Sequence, residues 1–398
     1  MNLGRFAFII LAICGCTWAM AQTNPNNPNQ GNTIYGWSST SGGKTMIGGY
    51  AGIHYNQPVG GDIRENGNLD VHRMVMLFGY KFDKKVAFYT EIEYEHVSEV
   101  YIEQAFFDYK INNYVTLKGG LLLVPMGIIN EYHEPTTFYG VERPILDKVV
   151  VPTTWREIGL GVSGNIQEVS LRYQAYLMNG FLGYDGEARL RGSDGFRKGR
   201  QKGAESVMSS PNLATKVNYY GIRGLNIGAA LYAGKTQSTL YNGMDRNDDF
   251  ARAQADSSVV NLTMLGLDAR YDLKAFHIRG QLNFANVGNT ASYNTFAGSD
   301  VGSRLFGYYV ETGYNVLNHT EASTKLIPFV RFEKMNTHAS VAEDLTKNDA
   351  YNRMVITTGM DWKLNDGVAL KADYQFLKNT ASNDWDNILN LGVGIWFR

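Results

Sequence analysis

Ionisable residues crowd one stretch of this sequence: Glu131, His133, Glu134, Glu142, Arg143, Asp147 and Lys148, followed at once by Arg156 and Glu157. Carboxylates, an imidazole and cations set this close can do two things. Lining a narrow aqueous path between low-dielectric walls, they focus field and select ions by sign. Paired with one another, they pin a loop in place. Both roles are expected here, with part of the set facing solute. Pro125, Pro135, Pro144 and Pro152 restrict the same stretch. Compact domains seldom hold connections longer than about 12–15 residues unless those are functional. The connection 125–155 therefore reads as a loop folded into the mouth of a barrel, which it narrows.

Other charges follow the two-residue period of a sheet face. Arg73, Arg172, Arg279, Arg331 and Arg353 are expected on a lumenal wall with Glu91, Glu93, Glu95, Glu311, Glu333 and Asp373. A wall so mixed argues against strong anion selectivity. The row Glu91, Glu93, Glu95 could hold a divalent cation, since hard cations take carboxylate oxygens. Pairing with arginines on adjacent strands is the commoner fate, and no metal site is assigned. Asp245-Arg246-Asn247-Asp248-Asp249 with Asp256 mimics a calcium loop, but Phe250 stands where glycine is required.

A second basic cluster, Arg189, Arg191, Arg197, Lys198, Arg200 and Lys202, lies among Asp185, Glu187, Asp194 and Glu205. It suits a vestibule that attracts anions. The plainer reading is a solvated loop that binds lipopolysaccharide phosphates or packs into a neighbouring subunit. For catalysis, His133-Glu134 lacks the second histidine of a zinc helix, and no Gly-x-Ser-x-Gly or phosphate loop is present. His277, Glu311 and Asp373 are what a barrel hydrolase would use, yet lone lumenal polar groups are ordinary in a channel wall. The reading is no enzyme and no cofactor.

The elements that must position these residues are strands. Alternating runs fall near 44–56, 68–80, 85–95, 101–110, 114–124, 156–164, 168–178, 212–221, 225–235, 258–272, 275–285, 304–316, 325–335, 351–364, 368–378 and 387–397. Short turns, among them Asn365-Asp366-Gly367, alternate with long connections near 57–67, 125–155, 179–211, 236–257, 286–303 and 336–350. That asymmetry predicts an all-β fold: a transmembrane antiparallel β-barrel of about 16 strands with short periplasmic turns and long extracellular loops. Tyr109, Tyr219, Tyr271, Tyr314, Trp362 and Phe397 would form one aromatic belt, and Tyr94, Phe284, Phe332 and Phe376 the other. Pro328, mid-strand and unable to donate, predicts a bulge. The C-terminal run 389–397 ends on an aromatic, as barrel assembly signals do, although Arg398 follows.

At the N-terminus, Arg5, an apolar core and Ala19-Met20-Ala21 read as a cleaved signal peptide over 1–21. The Asn-, Pro-, Gly- and Ser-rich stretch 22–43 reads as a flexible arm before a barrel spanning 44–398. Both cysteines lie in the signal segment, which leaves the mature chain without thiol chemistry. A net charge of −1 gives no hint of a nucleic-acid partner. The partners read from the sequence are outer-membrane lipid and lipopolysaccharide, and small hydrophilic solutes or anions.

Several segments resemble porins of the phosphate-selective O/P type, in the branch found in Bacteroidetes-type bacteria. They are Glu91-Ile92-Glu93-Tyr94-Glu95, Tyr101-Ile102-Glu103-Gln104-Ala105 and Gly127-Ile128-Ile129-Asn130-Glu131-Tyr132-His133-Glu134-Pro135. Gly140-Val141-Glu142-Arg143-Pro144, Val151-Pro152-Thr153-Thr154-Trp155-Arg156-Glu157 and Gly199-Arg200-Gln201-Lys202-Gly203 belong with them. The likeness covers most of the mature chain and is densest from 91 to 203. It implies a homotrimeric sixteen-stranded porin in the outer membrane of a Gram-negative bacterium, its third loop folded inward, passing small solutes by diffusion. Anion-selective members carry a lumenal ladder of arginines and lysines for phosphate; the mixed wall here keeps that ladder from being carried over residue by residue. A barrel of structural or adhesive purpose, its pore closed by loops, is the alternative.

Overall fold

A computed structural model describes residues 44–397 apart from Asp62. The signal peptide and arm read at 1–43, and Arg398, lie outside the described residues. Sixteen antiparallel strands close into one barrel. They begin with β1 (Thr45–Val59), β2 (Asn68–Lys81), β3 (Val86–Glu95), β4 (Glu99–Lys110), β5 (Thr116–Leu123), β6 (Arg156–Ile166) and β7 (Leu171–Met178). The short β8 (Leu182–Tyr184) pairs in parallel with β11 (Gln237–Ser238), apart from the barrel sheet. Between them come β9 (Asn212–Tyr219) and β10 (Leu225–Lys235). The ring is completed by β12 (Asn261–Leu273), β13 (Phe276–Gly288), β14 (Arg304–Tyr314), β15 (Lys325–Ser340), β16 (Asn352–Asn365), β17 (Val368–Asn379) and β18 (Asp386–Phe397). Closure is made by β18 on β1, with Gly49 opposite Phe397.

Each alternating run read from the sequence is a barrel strand, because the two faces meet different surroundings. On β12, Leu265 and Leu267 are exposed outward while Asp268 and Arg270 are buried inside. An apolar exterior over a polar interior is the inverse of a soluble sheet and suits lipid. Closure also pairs every strand edge, which the hydrocarbon core demands. All the expected belt aromatics stand exposed on the outside except Tyr271, which is half-buried.

Asx turns fix the short connections: the Asp83 carboxylate accepts from the Lys85 and Val86 amides at 2.7 and 2.9 Å, and Asn112 does the same for Tyr114 and Val115. Two connections break the long–short alternation. The link after β3 is only 96–98, and that after β14 runs over 315–324. Pro328 forms no bulge. The β15–β16 ladder passes through it opposite Met360 without a shift, and the β14–β15 ladder ends one residue earlier, at Gly313 opposite Phe329.

Real register shifts lie elsewhere. Between β1 and β2, Gly52 faces Arg73 and Ile53 faces Val71, so His72 is an extra residue. Between β3 and β4, Glu91 faces Gln104 and Ile92 faces Ile102, so Glu103 is the extra residue. Bulges re-aim side chains. Here Glu103 and Gln104, adjacent in sequence, are both buried.

Candidate functional site

The connection between β5 and β6 lies inside the ring of strands, almost wholly buried. Asn130 ties its two ends together: its side-chain amide donates to Val124 O and Trp155 O, and its Oδ1 accepts from the Trp155 amide at 2.7 Å. A one-turn helix, α1 (Leu146–Val149), caps its far side. Lumenal side chains hold the loop's backbone from several strands. Gln281 accepts from the Ile128 amide, Asp373 from that of Val141 and Glu333 from that of Ile145. Arg279 donates to Thr137 O, Lys363 to Thr136 O and Arg331 to Glu142 O.

Much of the expected lumen wall is therefore scaffold. Arg279, Glu311, Arg331 and Glu333 form one continuous ion-pair run beneath the loop. Arg353 instead reaches Ser193 O at 2.6 Å, and Arg172 stacks on Tyr220. Glu131 is held by Lys216 at 2.6 Å and Gln174 at 2.7 Å. Glu157 accepts from Trp155, Tyr232 and the Gly180 amide. Neither of them, nor buried Glu134, lines open space; the first two are satisfied by those partners, whereas Glu134 Oε2 has none among the described residues. Burial pushes the Glu134 carboxyl up to about 7.

Open space remains on one side, between the loop and strands β1–β3. This cavity of about 320 Å³ is lined by Arg73, Glu93 and Glu95 from the wall, and by His133, Glu142, Arg143, Asp147 and Lys148 from the loop. Arg156 joins them, with Arg197, Arg200 and Lys202 from the connection 179–211. Seven cations thus meet four carboxylates. Arg73 pairs with Glu93 at 3.4 Å and Lys148 with Glu142 at 2.5 Å. Among the described residues, Arg143, Arg156, Arg197, Arg200 and Lys202 have no carboxylate within 4.0 Å. Lys202 sits over the Tyr101 ring, and Arg200 donates to Pro152 O and Thr153 O. Burial and the nearby Arg197 and Arg156 push Arg200 down to about 9, which leaves it charged at neutral pH.

The connection 179–211 is more than a vestibule or a solvated loop. Phe181 stacks on Trp155 at 4.5 Å, Phe196 stacks on Phe181, and the Phe196 amide donates to Val149 O. Its basic residues divide. Arg197, Arg200 and Lys202 face the cavity, whereas Arg189 and Arg191 pair with Asp185 and Glu187, and Lys198 pairs with Asp194. The segment 245–256 is a capped helix, α2 (Asp249–Ser257): Asp248 accepts from the Ala251 amide and Asp256 from the Tyr241 hydroxyl.

His133 is the densest junction of loop and wall. Its Nδ1 lies 3.2 Å from Asn130 O, and its Nε2 lies 2.8 Å from the Tyr50 hydroxyl, 3.4 Å from Glu103 and 3.7 Å from Glu91. Glu103 also accepts from Tyr50 at 2.7 Å and Thr154 at 2.6 Å. Burial opposes charge on this imidazole, but the Glu103 and Glu91 carboxylates outweigh it and lift the group to about 10. His54, His72, Tyr50 and Glu103 were not singled out by sequence reasoning. His72 and Glu103 occupy bulges, which strict alternation cannot place.

An uncharacterized protein of Aquifex aeolicus (strain VF5) is 30% identical over 358 residues, 85% of this chain and 77% of its own length. The two belong to one family. No protein-family model matches the chain. Among solved structures it is similar to OmpF of Salmonella typhi (TM-score 0.57, 12% identity, 89% of this chain and 97% of that one). It is also similar to the outer-membrane channel DcaP of Acinetobacter baumannii (0.56, 11%, 89% and 97%) and to an anion-selective porin from Comamonas acidovorans (0.54, 13%, 89% and 99%). The likeness to those solved structures is one of fold.

Proposed function

We propose that the chain is an outer-membrane porin that passes small hydrophilic solutes through the cavity beside the inward loop, with a preference for anions such as phosphate. The observation that carries the preference is the five cavity cations without a carboxylate partner among the described residues. Guanidinium forks suit oxyanions, and a small cavity walled by protein strengthens their field. The mixed wall that argued against anion preference is largely paired beneath the loop, so its carboxylates offset little of this potential. No enzymatic role is proposed: His277 pairs with Asp272, Glu311 with Arg279 and Arg331, and Asp373 with Asn390, three separate settings. A homotrimer is the proposed assembly, checked by crosslinking in mild detergent.

Single-channel recording of the refolded protein in a planar bilayer tests this. Stepwise openings with an anion-directed reversal potential, reduced as phosphate is added, are the expected result. A second reading is a barrel closed by its loops in a structural or adhesive role. It is favoured by the aromatic packing of the connection 179–211 on the inward loop. Correctly folded barrel that gives no openings would replace the porin reading with this one.

A further inference from the structure

We propose that Glu91, Glu103 and His133 form a binding site for one divalent transition ion, of the zinc or manganese class, which clamps the inward loop to the barrel wall. The three come from separate elements: β3, the bulge on β4, and the loop. One ligand atom from each lies within 4.8 Å of the others, and all three residues are buried. Two carboxylates and one imidazole are a donor set suited to such ions, where purely hard cations would ask for oxygen alone.

Three further observations point to a ligand. Glu91 is 1% exposed and its Oε2 accepts no hydrogen bond among the described residues, although it faces His133 Nε2 at 3.7 Å. A buried carboxylate oxygen left so is costly without a cation. Next, His133 Nδ1 lies at hydrogen-bonding distance from Asn130 O; donation there leaves Nε2 as the metal-binding nitrogen, the usual arrangement around a ligating histidine. Thr154 and Tyr50 hold the Glu103 carboxylate by hydrogen bonds in the same supporting manner. Finally, with a neutral imidazole, Arg73 is the cation paired with Glu93 and Glu103, and Glu91 has none among the described residues. A divalent ion in place of the His133 proton balances these charges. His133 and Thr154 also line the cavity, which gives the ion a route in.

The proposal is independent of the channel reading. Refolded protein, stripped with chelator and dialysed, is titrated calorimetrically with Zn²⁺ and, separately, Mg²⁺; bound metal is counted by elemental analysis. One Zn²⁺ per chain is expected, with Mg²⁺ not competing. Glu91→Gln should weaken Zn²⁺ binding at least tenfold while heat-modifiable migration on gels confirms a folded barrel, since Glu91 accepts no hydrogen bond that the amide would lose. Glu103→Gln should weaken it as well. X-ray absorption of the loaded protein should show one imidazole among oxygen donors. No stoichiometric binding, with a proton alone joining His133 to the carboxylates, would overturn the proposal. So would binding that survives Glu91→Gln and is lost in His72→Ala, which would locate the ion at the Asp70, His72 and His96 cluster near the rim.

Discussion

The proposed anion preference predicts that removing positive charge from the cavity weakens selection of anions. Lys202 is the cleanest place to begin, because it contacts the Tyr101 ring and has no carboxylate partner among the described residues. Arg156 and Arg200 flank it. Two unit charges 4 Å apart interact by about 1 kcal/mol in water and about 4 kcal/mol at an effective dielectric constant near 20. The cavity holds only about 320 Å³ and is walled by protein, so the aqueous figure is a floor. At that floor Lys202→Gln lowers the occupancy of a monovalent anion about fivefold, by the usual conversion of energy to population. The triple change with Arg156→Gln and Arg200→Gln should exceed any single one. The assay is the reversal potential across a potassium chloride gradient. Wild type should reverse toward the chloride equilibrium potential and the triple variant markedly toward zero, with the difference shrinking at high salt as screening sets in. An unchanged reversal potential in channels of normal conductance would refute the assignment of this cavity as the conducting path.

Other consequences are open to test. Asn130→Ala removes the tie between the loop's two ends and strands Val124 O, Trp155 O and the Trp155 amide; about 3 kcal/mol of stability should be lost, read as a lower temperature of heat modification. The imidazole of His133 is raised from its ordinary 6.5 to about 10, so its stabilising contribution is complete below pH 6.5 and is lost as pH climbs through about 10. In chelator-treated wild type, urea midpoints should therefore fall across that alkaline window, and they should stay level across it in His133→Gln. The Lys148 ammonium and His54 hold Glu142 well below its usual range despite burial, so this pair contributes at neutral pH and is lost only in strong acid. Phe196→Ala should loosen the connection 179–211 from the inward loop, with a larger or noisier conductance as the readout.

How much of this was legible in the sequence depends on whether the signal is local. Strand number, the inward loop and the outward aromatics were legible because a barrel in lipid imposes period two on each strand, as on β12, where exposed leucines alternate with buried charges. Long loops announced themselves by length. The partition of charges between path and scaffold was not legible, since it depends on contacts far apart in sequence. Glu333 looks like a pore-lining carboxylate until the Ile145 amide is found on it, 188 residues away. Likewise Glu131 and Glu142 share a loop and a residue type, yet one is held under Lys216 and the other borders water.

The bulges explain the remaining omissions. An extra residue in one strand reverses the facing of everything beyond it in a period-two count, and nothing in the composition of 99–110 marks Glu103 as that residue. The result is chemical as well as geometric. Without the bulge, Glu103 and Gln104 would face opposite sides of the sheet; with it, both are buried and Glu103 meets Tyr50, Thr154 and His133. His72 likewise borders the cavity from the bulge on β2. These two irregularities belong to strands β1–β4, while others fall between Arg304 and Phe306 and between Lys363 and Asn365, and Pro328, the conspicuous irregularity in the sequence, is accommodated without a shift. Local distortion of the ladder costs hydrogen bonds and persists where a side chain must be aimed. Here the β2 bulge aims His72 at the cavity, and the β4 bulge aims Glu103 at His133, which lines it.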